Sequence, residues 1–163
     1  TFNFPSTFMQ GDAENLPFES ESFDAIINRA LLWTLPNPEK AIVEWKRILK
    51  PNGKLVIIDG SWYLNIDSTL KKKIWRVFAM PLIGITERKI PSRRHYNQDL
   101  KDRLPVVCKK RPDYDVELLR SVGFGDINIL TMSRRTEGLL EYLKYGYWGD
   151  SFLVRGVNQQ GKI

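Results

Sequence analysis

Apolar residues fall along the chain in short runs of two kinds. Phe23 to Asn28 (Phe-Asp-Ala-Ile-Ile-Asn) and Leu55 to Ile58 are compact and rich in β-branched side chains, the pattern of strands buried on both faces, and the first is expected inside a sheet. Between them Ala41, Ile42, Trp45, Ile48 and Leu49 recur at helical spacing. They follow Pro36-Asn37-Pro38, where Asn37 can cap and Pro38 suits the first turn, and the helix is expected to stop at Pro51-Asn52-Gly53. Strand, helix, strand at this separation predicts a parallel βαβ unit. Upstream, Thr7 to Gln10 reads as a short strand closed by the turn residues Gly11-Asp12.

The segment 65–111 differs in kind. Helical stretches are expected over Thr69 to Met80 and Gln98 to Leu104, among many basic residues and isolated prolines, and it reads as a cap-like insertion over the sheet of a single domain, 1–163. From Asp113 the regular pattern resumes. Val116, Leu118, Leu119 and Val122 predict a helix ended by Gly123, Asp126 to Met132 a strand, Glu137 to Tyr145 a short helix, and Ser151 to Val157 the closing strand.

Composition narrows the classes. With 163 residues, 42% of them hydrophobic and nineteen aromatic, the chain can bury a core, which excludes a disordered or fibrous protein. No apolar run approaches the roughly 18 residues of a membrane-spanning helix, and the best candidate, Phe78 to Ile85, is interrupted by Pro81 and Gly84. Thr1 to Ser6 lacks the features of a secretory signal, and Cys108 as the only cysteine excludes an internal disulfide, so a cytoplasmic setting is expected. One cysteine and one histidine cannot build a soft-ligand metal site, nor a nucleophilic triad. Charge is uneven: Lys71 to Arg111 holds thirteen Lys or Arg against Glu87, Asp99 and Asp102, a local balance of +10, while the remainder carries −4. That segment is either a solvated face or a surface for an anionic partner.

Three stretches carry a family resemblance. Gly11-Asp12-Ala13-Glu14-Asn15-Leu16-Pro17-Phe18, Ser22-Phe23-Asp24-Ala25-Ile26-Ile27 and Glu44-Trp45-Lys46-Arg47-Ile48-Leu49-Lys50-Pro51-Asn52-Gly53-Lys54-Leu55 together resemble the class I S-adenosylmethionine-dependent methyltransferases. The family usually has Gly-Gly after the Lys-Pro; Asn52 takes the first place here and suits a left-handed turn nearly as well. The resemblance implies an α/β fold, an incomplete Rossmann-like sheet that is mostly parallel with an antiparallel closing strand. It also implies methyl transfer from S-adenosylmethionine to a small-molecule acceptor. The family's glycine-rich loop and the acidic residue ending its second strand are not found. The chain also lacks an initiator methionine, so the expectation is a C-terminal portion that does not bind the cofactor normally by itself.

By this resemblance Asp12 would accept from the adenine amino group and the Ala13 amide would donate to a ring nitrogen. An Asx-turn is the competing role for Asp12. Leu16 and Phe18 would line the adenine pocket or serve the core. Asn28 and Arg29 would lie near the methionine part of the cofactor, with a surface ion pair the rival role for Arg29. Alignment does most of the work in methyl transfer, so a base is needed only if the acceptor must lose a proton. His95 and Tyr96 are the weak candidates for one. Trp33, Trp62, Tyr63 and Trp75 can wall a planar acceptor or pack the core, and Arg93 and Arg94 stand in the same basic stretch. The family's strand order predicts that Phe23 to Asn28 becomes an edge here, covered by Thr7 to Gln10 or by a second copy in a homodimer. Two further readings stay open: a module binding RNA or another polyanion through the basic insertion, and a non-catalytic remnant.

Overall fold

The computed structural model describes residues 5–60, 70–88, 103–107, 109–132, 138–145 and 150–159. Strands β1 (Phe23–Arg29), β2 (Leu49–Gly60), β3 (Phe124–Met132) and β4 (Ser151–Asn158) form one open sheet in the order β1-β2-β4-β3. β1 and β2 run parallel, and β4 is antiparallel to both its neighbours. Helix α1 (Pro38–Ile48) makes the crossover between β1 and β2, as the sequence predicts. The other helices are α2 (Leu70–Glu87), α3 (Asp113–Ser121) and α4 (Leu139–Tyr145).

α1 is amphipathic, with Ala41, Ile42, Trp45 and Ile48 buried at helical spacing, and it meets Leu55 and Ile57 of β2 in the core. α3 adds Val116 and Leu119, and Phe124, Phe152 and Val154 come from β3 and β4. Helix α1 ends at Ile48, three residues before the stop expected at Pro51-Asn52-Gly53, because Leu49 already begins β2, and Asn52 and Gly53 instead shape a bulge within that strand. Asn52 takes a left-handed φ of 62°. At Gly53 a Cβ would stand 2.8 Å from the Lys50 carbonyl oxygen and 3.2 Å from that of Asp24, so only glycine lets β1 and β2 approach. The pairing register jumps across this bulge, from Phe23 with Leu49 to Ala25 with Lys54. Gly123 (φ 86°) ends α3, and the Lys46 ammonium donates to the carbonyls of Val122 and Gly123 there.

Three expectations need correction. Phe23 to Asn28 is not the interior strand buried on both faces that its apolar run suggests: β1 is a sheet edge, as the family's strand order predicts, Ile26 packs on the core, and Ile27 on the opposite face is 69% exposed. Thr7 to Gln10 forms no strand and does not cover that edge; Phe8 is 94% exposed. β-favouring residues hold no strand without a ladder to join. Asn37 occupies the N-cap position of α1 but does not cap it, because its side-chain amide donates to Glu14 instead. The helix expected over Gln98 to Leu104 lies almost wholly outside the described residues.

Candidate functional site

Open α/β sheets take ligands beyond the carboxyl ends of their parallel strands. Two pieces of chain are the candidates for such a site. The first is the loop 11–18, held in shape by its own turn. Asp12 accepts the Glu14 amide at Oδ1 (2.9 Å), and its carbonyl accepts the Asn15 amide (3.0 Å). This is the Asx-turn, so Asp12 Oδ1 shapes the loop whatever else the carboxylate does.

Contacts to α1 then fix where the loop lies. The Leu16 amide donates to Glu44 (2.9 Å), the Trp45 indole N–H donates to the Ala13 carbonyl (2.9 Å), and the Asn37 amide donates to Glu14 (2.8 Å). Residue 37 starts the helix that follows β1, so its bond to Glu14 holds the 12–14 turn at the carboxyl end of the sheet. Among the described residues no acceptor takes the Ala13 amide. Leu16 packs against the core, and Phe18 stacks edge-on with Phe23 at 4.9 Å, so both serve packing. Arg47 grips Glu44 through Nε (2.9 Å) and Nη2 (2.6 Å). The Arg47 hydrogen bond holds the Glu44 carboxyl down at about 2, against the opposing effect of burial and with help from the Leu16 amide.

The second piece is the end of β1. Asn28 is only 6% exposed, yet among the described residues neither its Oδ1 nor its Nδ2 has a hydrogen-bond partner. A buried amide left so costs about 1–3 kcal/mol and is rare in folded proteins. Arg29 is exposed, and among the described residues no acid pairs with it, so the ion-pair role is not what the structure gives. Ala30 then turns the chain in the left-handed conformation (φ 52°), at a cost of about 1–2 kcal/mol, and donates its amide to Ile58 of β2. Strain and an unpartnered amide stand within two residues of each other at the strand's carboxyl end. Trp33 is half-buried in the short 3-10 turn Leu32–Thr34 that follows.

Trp75 belongs elsewhere. Its indole N–H donates to the Leu143 carbonyl (2.9 Å) and its ring meets Tyr142 edge-on at 4.8 Å, so it packs α2 on α4. Trp62, Tyr63, Arg93, Arg94, His95 and Tyr96 lie outside the described residues.

The sequence reading passed over a third feature. Asp59, near the end of β2, pairs with Arg111 Nη1 at 2.6 Å, and Arg111 also grips Asp115 at 2.8 Å; all three are buried, with the guanidinium 5.1 Å from the centre of the Phe152 ring. Burial works against the Arg111 charge, but Asp115 and Asp59 outweigh it and raise its pKa; burial likewise pushes the Asp115 carboxyl up, against the pull of Arg111. The signals were an acid directly after the apolar run Leu55 to Ile58 and an Arg–Asp pair one helical turn apart.

Comparison with known proteins gives these features relatives. Residues 2–57 match the family model described as a methyltransferase domain. The phthiotriol/phenolphthiotriol dimycocerosates methyltransferase of Mycobacterium leprae is 34% identical over 111 residues, 63% of this chain and 40% of that protein. The ubiquinone/menaquinone biosynthesis C-methyltransferase UbiE of Shewanella pealeana is 28% identical over 142 residues, 86% of this chain and 52% of that one. In fold, the Haemonchus contortus phosphoethanolamine N-methyltransferase 2 in complex with S-adenosyl-L-methionine superposes with a TM-score of 0.53 at 18% identity, over 91% of this chain and 36% of that one. The chain spans about half the length, or less, of these curated relatives.

Proposed function

From these likenesses we propose that the chain belongs to the class I S-adenosylmethionine-dependent methyltransferases and that the protein moves a methyl group from S-adenosylmethionine to a small-molecule acceptor. The observation that carries this reading is Asn28, a buried amide with no partner for either end, at the strand terminus where such a fold takes its ligand. An amide side chain offers one donor face and one acceptor face, which suits the amino-acid part of the cofactor. The Ala13 amide is the donor for an adenine ring nitrogen, and the exposed Asp12 carboxylate the acceptor for the adenine amino group. Glu44 and Trp45 position that loop from α1.

Bound S-adenosylmethionine would supply both the methyl group and its leaving group. The chain's own share is placement, which for an in-line displacement is most of the catalysis. Arg29 and Trp33 lie beside the same strand end, and we place Trp62, Tyr63, Arg93 and Arg94 on the acceptor side, in a cap formed by 65–111. His95 and Tyr96 are the residues to test as a base. The two relatives named by their substrates act on phthiotriol and phenolphthiotriol dimycocerosates and in ubiquinone and menaquinone biosynthesis, which supports a small-molecule acceptor. The polyanion alternative rests on charge alone, and the single cysteine supports a reducing, cytoplasmic setting.

The test is an NMR titration of the isotope-labelled chain with S-adenosylhomocysteine. Because the chain carries only part of the cofactor's site, binding is expected to be weak, and the Asn28 side-chain amide and the Ala13 backbone amide are expected to shift together at high ligand concentration. If both stay still while other amides move, the ligand binds elsewhere and the site is wrong; if no resonance moves, this chain does not hold the cofactor's adenosine side.

A further inference from the structure

Helix α2 is apolar on two sides, and only one of them is used. Ala79 and Ile83 are buried, and Trp75 ties the helix to α4. Leu70, Ile74, Val77, Phe78, Pro81 and Ile85 are all exposed, Phe78 at 73% and Ile85 at 78%. At about 100° per residue these six positions fall within an arc of about 100°, on the side away from Ala79 and Ile83. The stripe runs nearly the whole helix, and α4 beside it exposes Leu139, Leu140 and Leu143. Scattered exposed apolar residues need no explanation, but a continuous stripe does.

The charge of the same helix says what covers it. Its sequence holds Lys71, Lys72, Lys73 and Arg76 against one acid, Glu87, and that acid is paired with Lys144 of α4 at 3.1 Å. The helix also opens the +10 segment. We propose that the exposed face of α2 docks on an anionic lipid surface, lying in the plane of the interface with its stripe among the acyl chains and the basic positions that flank the stripe, Lys71 and Lys73, toward the headgroups. By the same arithmetic Lys72 and Arg76 fall on the side of Ala79 and Ile83. A second copy of the chain fits less well, because a two-fold contact along this face brings two like-charged helices together as water leaves. A nucleic acid fits less well, because the stripe is aliphatic except for Phe78, where single-strand binding relies on stacked rings. Among the described residues no helix is long and apolar enough to cross a membrane, so the contact is peripheral. This inference does not depend on the methyl-transfer reading, since it concerns a different face and is read by binding alone.

The experiment is flotation of the purified chain with phosphatidylcholine vesicles and with vesicles of equal parts phosphatidylcholine and phosphatidylglycerol. Binding is expected to the anionic vesicles only, weakening as salt is raised. Phe78→Glu with Ile85→Glu is expected to cut the bound fraction about tenfold or more, because the apolar insertion is lost. Both side chains are exposed, and an unchanged circular dichroism melt checks that the fold is kept. Lys71→Gln with Lys73→Gln is expected to abolish the preference for anionic lipid. Equal binding to both vesicle types, or full binding by the double glutamate variant, overturns the proposal. So does concentration-dependent dimerisation that the double glutamate variant removes, which would assign the face to a second copy.

Discussion

The carboxyl end of β1 and the outer face of α2 are unfinished in opposite senses. At the first, a polar side chain, Asn28, is shut away from water with nothing to bond. At the second, a row of apolar side chains stands in water with nothing to pack against. Each departs from the same rule, that burial goes with apolar surface and exposure with polar groups. The direction of the departure identifies the missing partner. A buried amide calls for a small ligand with a donor and an acceptor, and an exposed aliphatic stripe calls for a surface that takes apolar groups out of water.

One buried cluster ties the chain beyond α2 back to the sheet, and removing it gives the largest effect. Arg111 closes the basic segment that α2 opens, and it ties that segment to Asp59, near the carboxyl end of β2. Arg111→Ala leaves Asp59 and Asp115 as two uncompensated buried carboxylates and is expected to destabilise by about 3–5 kcal/mol in urea unfolding. Arg111→Met combined with Asp59→Leu and Asp115→Leu is expected to recover most of that loss, because the desolvated charges go together. If the single variant loses less than the triple, the triad is not what joins these parts.

How far the sequence discloses these features follows from the range over which each is set. α1 is legible because its period and Pro38 are local, although it ends at Ile48, before Pro51-Asn52-Gly53. The antiparallel β4 and the helix stop at Gly123 are legible for the same reason. The edge position of β1 is legible only through the family's strand order, because its run of isoleucines by itself reads as interior whether or not a neighbouring strand is present. α2 reads as ending near Met80, yet it continues to Glu87 through Pro81. Proline removes the bond to the carbonyl four residues back, and that residue, Val77, lies on the exposed face, where water can serve the carbonyl instead. At the candidate site, Asn28 and Asp12 are singled out by the family resemblance and not by the apolar pattern alone. The Asp59–Arg111–Asp115 cluster was missed because Asp59 and Arg111 are far apart in the chain and only the folded sheet joins them.

Asn28 offers a sharper break between the two regions. Leucine has nearly the shape of asparagine and no polar atoms to satisfy. Asn28→Leu is therefore expected to raise stability by about 1 kcal/mol in urea unfolding, since an unpaired buried amide costs about that much or more. The same variant is expected to abolish the response to S-adenosylhomocysteine. A gain in stability with loss of binding is the signature of a residue kept for its ligand. A loss of stability would mean that Asn28 is paired within the protein, and the comparison with α2 would fail.

The smallest effect concerns the 11–18 loop that α1 holds, and its sign follows from Glu44. The Glu44 carboxyl is held at about 2 in the folded protein, against an ordinary 4.5. Its contribution is complete above that ordinary value and is lost as pH falls toward the folded one. Wild type is therefore expected to lose stability on acidification through this window, and Glu44→Gln to lose less, because glutamine does not titrate. At neutral pH the variant is expected to be weaker by about 1 kcal/mol, since Arg47 is partly exposed and water screens the pair, while the Leu16 amide keeps an acceptor. The two stability curves, measured by urea unfolding from neutral to acid pH, are expected to converge as the pH drops. Parallel curves would mean that the Arg47 pair does not hold the 11–18 loop on α1, and the placement of Asp12 and Ala13 beside the end of β1 would lose its support.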